Sequence, residues 1–399
     1  MSACLRRVCA LLLLLLVAAV AQAAVDEQAG ETEVWLLTYG PGEVYWQRFG
    51  HNAIWIRDPG LGLDHTFNFG FFDFQQEDFF LRFLQGRMLY FSAAQPAREE
   101  FAGYIDDNRS IRAQKLDLSP QQKLTLLEDL LAEIRPENRD YLYDYYRNNC
   151  STRVRDALNL AMDDALLAQF GALQAGQNWR QHTRRLTWRD FWLYLGLEIG
   201  LGAPVDRDIS RWDEMFIPEK LAQALSELES AIAGPLVLED VMLFESTAEP
   251  PPATAHSWWP RYLLASMSLL LAVWLLSRLA PAGLVPFLAR SWLLLSGLAG
   301  LALLFLWFGT DHAVARSNLN VLLFNPLWLL LAFWKGQEKL TLLIVAGMSL
   351  LSLLAILLPP GQYNLDVIAA IAPLNIAAAF ALYKRALKTA GPQQSQRQS

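Results

Sequence analysis

The 399-residue sequence predicts an α+β extracytoplasmic domain followed by an all-α membrane domain of about five transmembrane helices. Three features carry that reading. A short apolar N-terminal run ends in small residues, a mixed and mildly acidic stretch follows, and five apolar runs crowd the last third of the chain. The break falls at Glu249-Pro250-Pro251-Pro252-Ala253-Thr254, where consecutive prolines deny the backbone both helix and ladder. The expected partition is a signal over 1–23, an outer domain over 24–249 with its core at about 33–165, a linker over 250–257, a membrane domain over 258–385 and a tail over 386–399.

The N-terminus sets the compartment. Arg6 and Arg7 precede an apolar stretch from Ala10 to Val20, and Ala21-Gln22-Ala23 supplies the small residues of a cleavage site. That is the layout of a secretory signal. Cys4 and Cys9 lie inside it, so of the three cysteines Cys150 alone is expected in the mature chain. A thiol beyond the membrane with no internal partner either pairs with another chain or stays a working nucleophile.

The membrane spans are expected at about 258–277, 285–308, 318–334, 340–358 and 365–383. A span needs about 17–25 residues, and the third run is the shortest and contains Pro326. With the signal removed and the outer domain outside, five spans place the C-terminus in the cytoplasm. The loops then expected inside carry Arg278, Arg290, Lys335 and Lys339, and the tail carries Lys384, Arg385, Lys388 and Arg397. The loops expected outside carry Arg316, apart from Arg261 beside the first span. This is the positive-inside asymmetry, and it predicts a multi-pass membrane protein with its large domain on the outer face. Trp258, Trp259, Trp307 and Trp334 sit near the expected helix ends, as interfacial rings do.

Within the outer domain, strands are expected over 33–38, 52–57 and 64–70, the last two joined as a hairpin through Asp58-Pro59-Gly60-Leu61-Gly62. Stretches 79–83 and 88–92 add β character. Ser119-Pro120 opens a helix to about 134, and a second helix begins near Cys150, capped by Asn148 or Asn149. The region 171–244 gives no assignable pattern.

The chemistry centres on that second helix. A thiol in the first turn lies beside unpaired N–H groups, where the helix dipole favours negative charge and lowers the thiol pKa. The same donors can hold an oxyanion when the thiolate attacks a carbonyl. His51, entering a strand in Phe49-Gly50-His51-Asn52-Ala53, is the candidate base. If the hairpin closes near Gly60, His51 faces the end of the return strand, which makes Asn68 the first candidate to orient its ring and His65 the second. Asn149, Ser151 and Arg153 flank the thiol as candidate substrate contacts. A second polar group, Asp311, His312, Asn318 and Asn320, borders the second and third spans and is a candidate seat for a lipid headgroup or acceptor, with His312 a competitor to His51 as base. No metal-ligand spacing or glycine-rich phosphate loop occurs, and no cofactor is expected. The net charge of −7 argues against nucleic acid as a partner.

Trp46-Gln47-Arg48-Phe49-Gly50-His51-Asn52-Ala53-Ile54 resembles the histidine motif of the Lnb-type lipoprotein N-acyltransferase family. Phe67-Asn68-Phe69-Gly70, Phe72-Asp73-Phe74, Phe80, Phe83-Leu84-Gln85-Gly86-Arg87 and Tyr90 resemble the motifs that follow it, and Tyr145-Tyr146-Arg147-Asn148-Asn149-Cys150-Ser151-Thr152-Arg153 resembles its cysteine motif. The match covers about 33–165 in the right order. It implies a permuted papain-like fold in which His precedes Cys, with the pair carried onto His51 and Cys150. It also implies a periplasmic domain on the bacterial inner membrane, and acyl transfer from a membrane phospholipid to the N-terminal amine of a lipoprotein. The residues alone leave three other classes open: a cysteine amidase or peptidase of the cell wall, a phospholipase using water as acceptor, and a non-catalytic membrane scaffold. Oligomeric state is not readable.

Overall fold

The computed structural model describes residues 32–279, 281–357 and 361–394, with side chains to residue 388. The expected signal and Arg397 lie outside the described residues. The chain divides into two compact units. The first holds residues to Arg82, 87–176 and 209–251; the second holds 83–86, 177–208 and everything from Pro252.

The first unit is built on a seven-stranded antiparallel sheet: β1 (Glu33–Tyr39), β2 (His51–Asp58), β3 (Leu63–Phe71), β4 (Leu89–Pro96), β5 (Ile111–Leu116), β6 (Asp140–Leu142) and β7 (Val237–Phe244), in the order β6-β4-β3-β2-β1-β5-β7. The expected hairpin is β2 with β3, and its register sets Ala53 opposite Asn68. The stretch 79–83 is a correction: it lies in a helix over Phe79–Gln85, not a strand. Its apolar residues run almost continuously, and periodicity does not separate strand from helix in so short a run.

Strand alternation sorts the core into two faces. Val34, Leu36, Ile54, Ile56, Phe67 and Phe69 pack with helices α2 (Pro120–Glu133) and α3 (Cys150–Ala161), preceded in the chain by α1 (Ala97–Asp106). Trp35, Leu37, Tyr39, Ala53, Ile111 and Ala113 form the other face, with Phe101 and Tyr104 of α1 against it. α2 starts where expected, with Ser119 and Gln122 closing a capping box.

Among its described residues the second unit holds four helices long and apolar enough to cross a membrane: α4 (Trp259–Leu276), α5 (Leu284–Phe308), α6 (Glu338–Ala355) and α7 (Leu365–Gln394). The expected third span over 318–334 is not one helix. It is a 3₁₀ turn over Leu319–Leu322, a break, and a short helix over Leu327–Leu331. Pro326 lacks an N–H and disfavours helix at Asn325, and Asn318 and Asn320 bond carbonyls outside their own turn.

The broken segment nevertheless runs antiparallel along α5. Phe324 lies against Gly300, Leu329 against Gly297, and the Ala332 carbonyl accepts from Arg290 Nε at 3.1 Å. Gly297 and Gly300 permit this approach because a Cβ at either would collide with the segment. Irregular backbone at membrane depth needs internal partners. Here the Leu323 carbonyl accepts from Trp328 Nε1 at 2.7 Å and from Asn375 Nδ2 at 2.8 Å, while Asn375 Oδ1 accepts from Trp292 Nε1 at 2.8 Å. Asn375→Leu removes one of two donors to the buried Leu323 carbonyl, which keeps Trp328, and takes the acceptor from the part-buried Trp292 indole, costing about 1–3 kcal/mol for that unsatisfied group. The expected result is a lower melting temperature in detergent, with the pH profile of Cys150 alkylation unchanged.

Candidate active site

Asn149 is extended (φ −111°, ψ −175°) and its side chain accepts from the Thr152 N–H at 2.9 Å, while Thr152 Oγ1 accepts from the Asn149 N–H at 2.8 Å. This reciprocal cap starts α3 at Cys150 and puts the thiol in the first turn. Cys150 is unpaired by any disulfide and partly exposed. Its sulfur accepts backbone hydrogen bonds from Ser151 and Asn52.

His51 is the first residue of β2. Gly50 before it has φ +80°, and a Cβ there would sit 2.8 Å from the Tyr39 carbonyl, so glycine makes the turn into the strand. The imidazole lies against two mutually stacked phenols: its centroid is 5.9 Å from that of Tyr39 and 6.3 Å from that of Tyr104, and the two tyrosine rings are 3.6 Å apart. His51 Nε2 lies 2.8 Å from Asn68 Oδ1, which leaves Nδ1 for the hydrogen bond with Cys150.

Burial alone would raise the Cys150 pKa. The charge and hydrogen bond of His51 and the two backbone N–H groups outweigh it, and the thiol is held below its ordinary value. Burial alone would depress His51. The Cys150 charge, the bonds to Cys150 and Asn68 and the Glu100 charge outweigh that, and the imidazole is raised. Both shifts run in the direction that favours a thiolate beside an imidazolium.

The structure therefore brings Cys150, His51 and Asn68 together. His65 stands three residues from Asn68 on the same strand, hence on the opposite face, paired across the ladder with Ile56. It does not reach His51's face, which removes it as the ring's orienting group. Asn149 and Ser151, expected as substrate contacts, have side chains turned inward. Asn149 Nδ2 donates to the Phe216 carbonyl at 3.0 Å, and the fully buried Ser151 hydroxyl lies 2.8 Å from Asn52 Oδ1 and 2.6 Å from the Met215 carbonyl. Arg153 is ion-paired with Glu133 at 2.9 Å and lies over the Tyr141 ring at 4.0 Å.

Asp311, His312, Asn318 and Asn320 belong to the second unit and are used within it. Asp311 N donates to the Gln85 carbonyl, and His312 Nε2 lies 2.9 Å from the Phe83 carbonyl. Asn318 and Asn320 are fully buried, donating to the carbonyls of Glu198, Ile199 and Gly200, and Asn364 donates to Asn320. These two asparagines tie the second unit together internally and are not presented to a headgroup.

Tyr141 escaped the sequence reading. Gly70, at φ +99°, has no Cβ; an atom in that place would sit 3.5 Å from Cys150 Cβ and 3.9 Å from the Tyr141 hydroxyl. That hydroxyl is buried and finds no partner among the described residues. Burial first, and the Cys150 charge second, push its phenol up, so it is a neutral donor. Its place in a three-residue edge strand carries no local signal. An aromatic ridge runs outward from this floor: Tyr143 stacks on Tyr90 at 4.2 Å, Tyr90 meets Phe72 at 5.1 Å, and Phe72 meets Phe74 and Trp46. Trp46 and Phe74 are exposed.

A thiol held below its ordinary pKa beside a raised imidazole, carried in one chain with four apolar helices of spanning length among the described residues, defines a membrane-bound thiol protein. The sequence model of the Lnb N-terminal periplasmic domain matches residues 22–189, and that of the Lnb transmembrane domain matches 254–389. Between them they cover most of the chain, and the protein belongs to the Lnb-type family: a membrane protein with an N-terminal periplasmic domain. No curated protein and no solved structure matches it.

The pair sets a pH signature. Iodoacetamide alkylation of Cys150, which follows the thiolate, is expected to reach half its plateau rate well below the free-thiol pKa of about 8.5. His51→Ala removes the imidazolium and is expected to move the midpoint up toward that value. A wild-type midpoint at the free-thiol value contradicts the pairing.

Proposed function

We propose that the protein is a membrane-bound cysteine N-acyltransferase. It moves an acyl chain from a phospholipid, through a thioester on Cys150, to the N-terminal amine of a lipoprotein. The observation that carries this reading is the thiolate–imidazolium pair of Cys150 and His51 in a chain of the Lnb-type family. The domain is read as permuted papain-like, with His preceding Cys and Asn68 as third member, and as periplasmic on the inner membrane. The broken segment beside α5 counts as the fifth crossing, which returns the C-terminus to the cytoplasm.

The reaction is ping-pong. The Cys150 thiolate attacks the phospholipid ester carbonyl. The backbone N–H of Ser151 or Asn52 and the Tyr141 hydroxyl receive the oxyanion over the floor left open at Gly70. His51 gives its Nδ1 proton to the departing lysophospholipid oxygen, leaving a thioester and neutral imidazole. The acceptor amine then attacks the thioester, His51 takes its proton, and the thiolate leaves. The ridge from Tyr143 to Trp46 is apolar enough to hold the alkyl chain meanwhile.

The test uses the full-length protein in phospholipid vesicles with a diacylated lipopeptide bearing a free α-amine. The expected product is the triacylated peptide plus lysophospholipid, with Cys150→Ala and Cys150→Ser inactive yet folded and inserted. Release of free fatty acid with no acylated amine would instead make the protein a phospholipase, and full transfer by either variant would overturn the thiol mechanism. Tyr141→Phe, which deletes one oxyanion donor, is expected to slow thioester formation on the order of 10²-fold.

A further inference from the structure

We infer that Glu100, which no motif marked, is the positioning residue that fixes the working tautomer of His51 by holding the Asn68 amide in one orientation. The inference rests on the Cys150–His51 reading above and adds to it the group behind the third member.

The geometry is a two-step relay on one face of the sheet. Glu100 projects from α1 and is buried, at 5 % exposure. Four donors converge on its carboxyl: Asn68 Nδ2 at 2.7 Å, Gln95 Nε2 at 2.8 Å, and the hydroxyls of Thr66 and Tyr39. The amide nitrogens of Asn68 and Gln95 can only donate, so the carboxyl oxygen they share accepts from both. An asparagine amide has one donating end and one accepting end, and which is which follows from its partners. Glu100 claims the donating end of Asn68, and Thr66 Oγ1 takes a second bond from it at 3.2 Å. Asn68 Oδ1 is thereby left facing His51 Nε2 at 2.8 Å.

An amide oxygen accepts and does not donate. Nε2 must therefore carry its hydrogen in both charge states, and Nδ1 is the nitrogen that exchanges a proton with Cys150. Were the amide turned over, its N–H would face Nε2 and favour the tautomer with hydrogen on Nδ1. That tautomer has no lone pair facing the thiol and cannot accept the proton. The Glu100 charge also favours the imidazolium. The other ionisable groups facing the pair are Tyr39, Tyr104, Tyr141, Tyr143 and Arg109. Burial holds the phenols protonated, and none of these five touches the Asn68 amide among the described hydrogen bonds.

The test removes the fixed acceptor and then makes it unnecessary, in the full-length protein. Glu100→Leu deletes the oxygen that Asn68 Nδ2, Gln95 Nε2 and the Thr66 hydroxyl share, so the Asn68 amide is no longer held in one orientation. The expected result is an alkaline shift of the Cys150 alkylation midpoint and a loss of roughly 10–100-fold in thioester formation, the range for outer groups that orient a functional histidine. The double variant Asn68→Asp with Glu100→Leu restores the pattern, because either oxygen of the aspartate accepts from His51 Nε2 and neither donates. It is expected to recover the wild-type midpoint and at least tenfold of the lost rate. If Glu100→Leu folds and leaves both readouts within twofold of wild type, or if the folded double variant is no better than the single, the inference fails. Where the single variant does not fold, recovery of both fold and midpoint by the double supports it, and a folded double with a shifted midpoint overturns it. Alkylation needs no acyl substrate, so the relay is judged even if no acyl adduct forms and the acyltransferase reading falls.

Discussion

Two adjacent residues of β2 meet two adjacent residues of α3: His51 bonds Cys150, and Asn52 bonds Ser151. The pairing across 99 residues of sequence is the constraint on which the site depends. Strand alternation puts His51 and Asn52 on opposite faces of the sheet, so one serves chemistry while the other anchors the helix. The Asn52 side chain is fully committed, donating to the Leu37 carbonyl and Thr38 Oγ1 at 3.0 Å and receiving Ser151. Ser151 in turn reaches the Met215 carbonyl, so the nucleophile's helix start is fixed from both sides. A charged pair half out of water needs such fixed dipoles, because burial acts against both ions.

The contact of Cys150 with His51 was readable because its signals are local. A cap next to a thiol, a glycine before a strand and a hairpin turn each act within a few residues, and together they located His51, Asn68 and Cys150. What was not readable depends on distant partners. Glu100 lies in an ordinary amphipathic helix, and only the fold sets it behind Asn68. Ser151 and Asn149 sit in the right motif, yet the closeness of Phe216 and Met215 turns them inward. The strand at 79–83 failed because a continuous apolar run has no period to read.

The region 171–244 resisted assignment for the same reason. Within the second unit, Arg180 is buried and donates to Asp206 at 2.7 and 3.0 Å and lies 3.4 Å from Glu198, which also receives Arg184. In the first unit, Arg155 stacks on Trp212 at 3.8 Å. Such pairs are expensive to break once buried, since removing one partner strands the other charge. Hydropathy likewise located the apolar segment at 318–334 but not its broken form, which Asn375 and two glycines of α5 make tolerable.

The account stands on Cys150 carrying the acyl group between donor and acceptor. The most direct measurement is mass spectrometry of full-length protein held with a phospholipid of defined acyl chains and no acceptor amine. The account expects one acyl group on the peptide containing Cys150, released by neutral hydroxylamine and absent in Cys150→Ala. Acyl transfer that proceeds with no adduct on Cys150, or with the adduct on another residue, would contradict it.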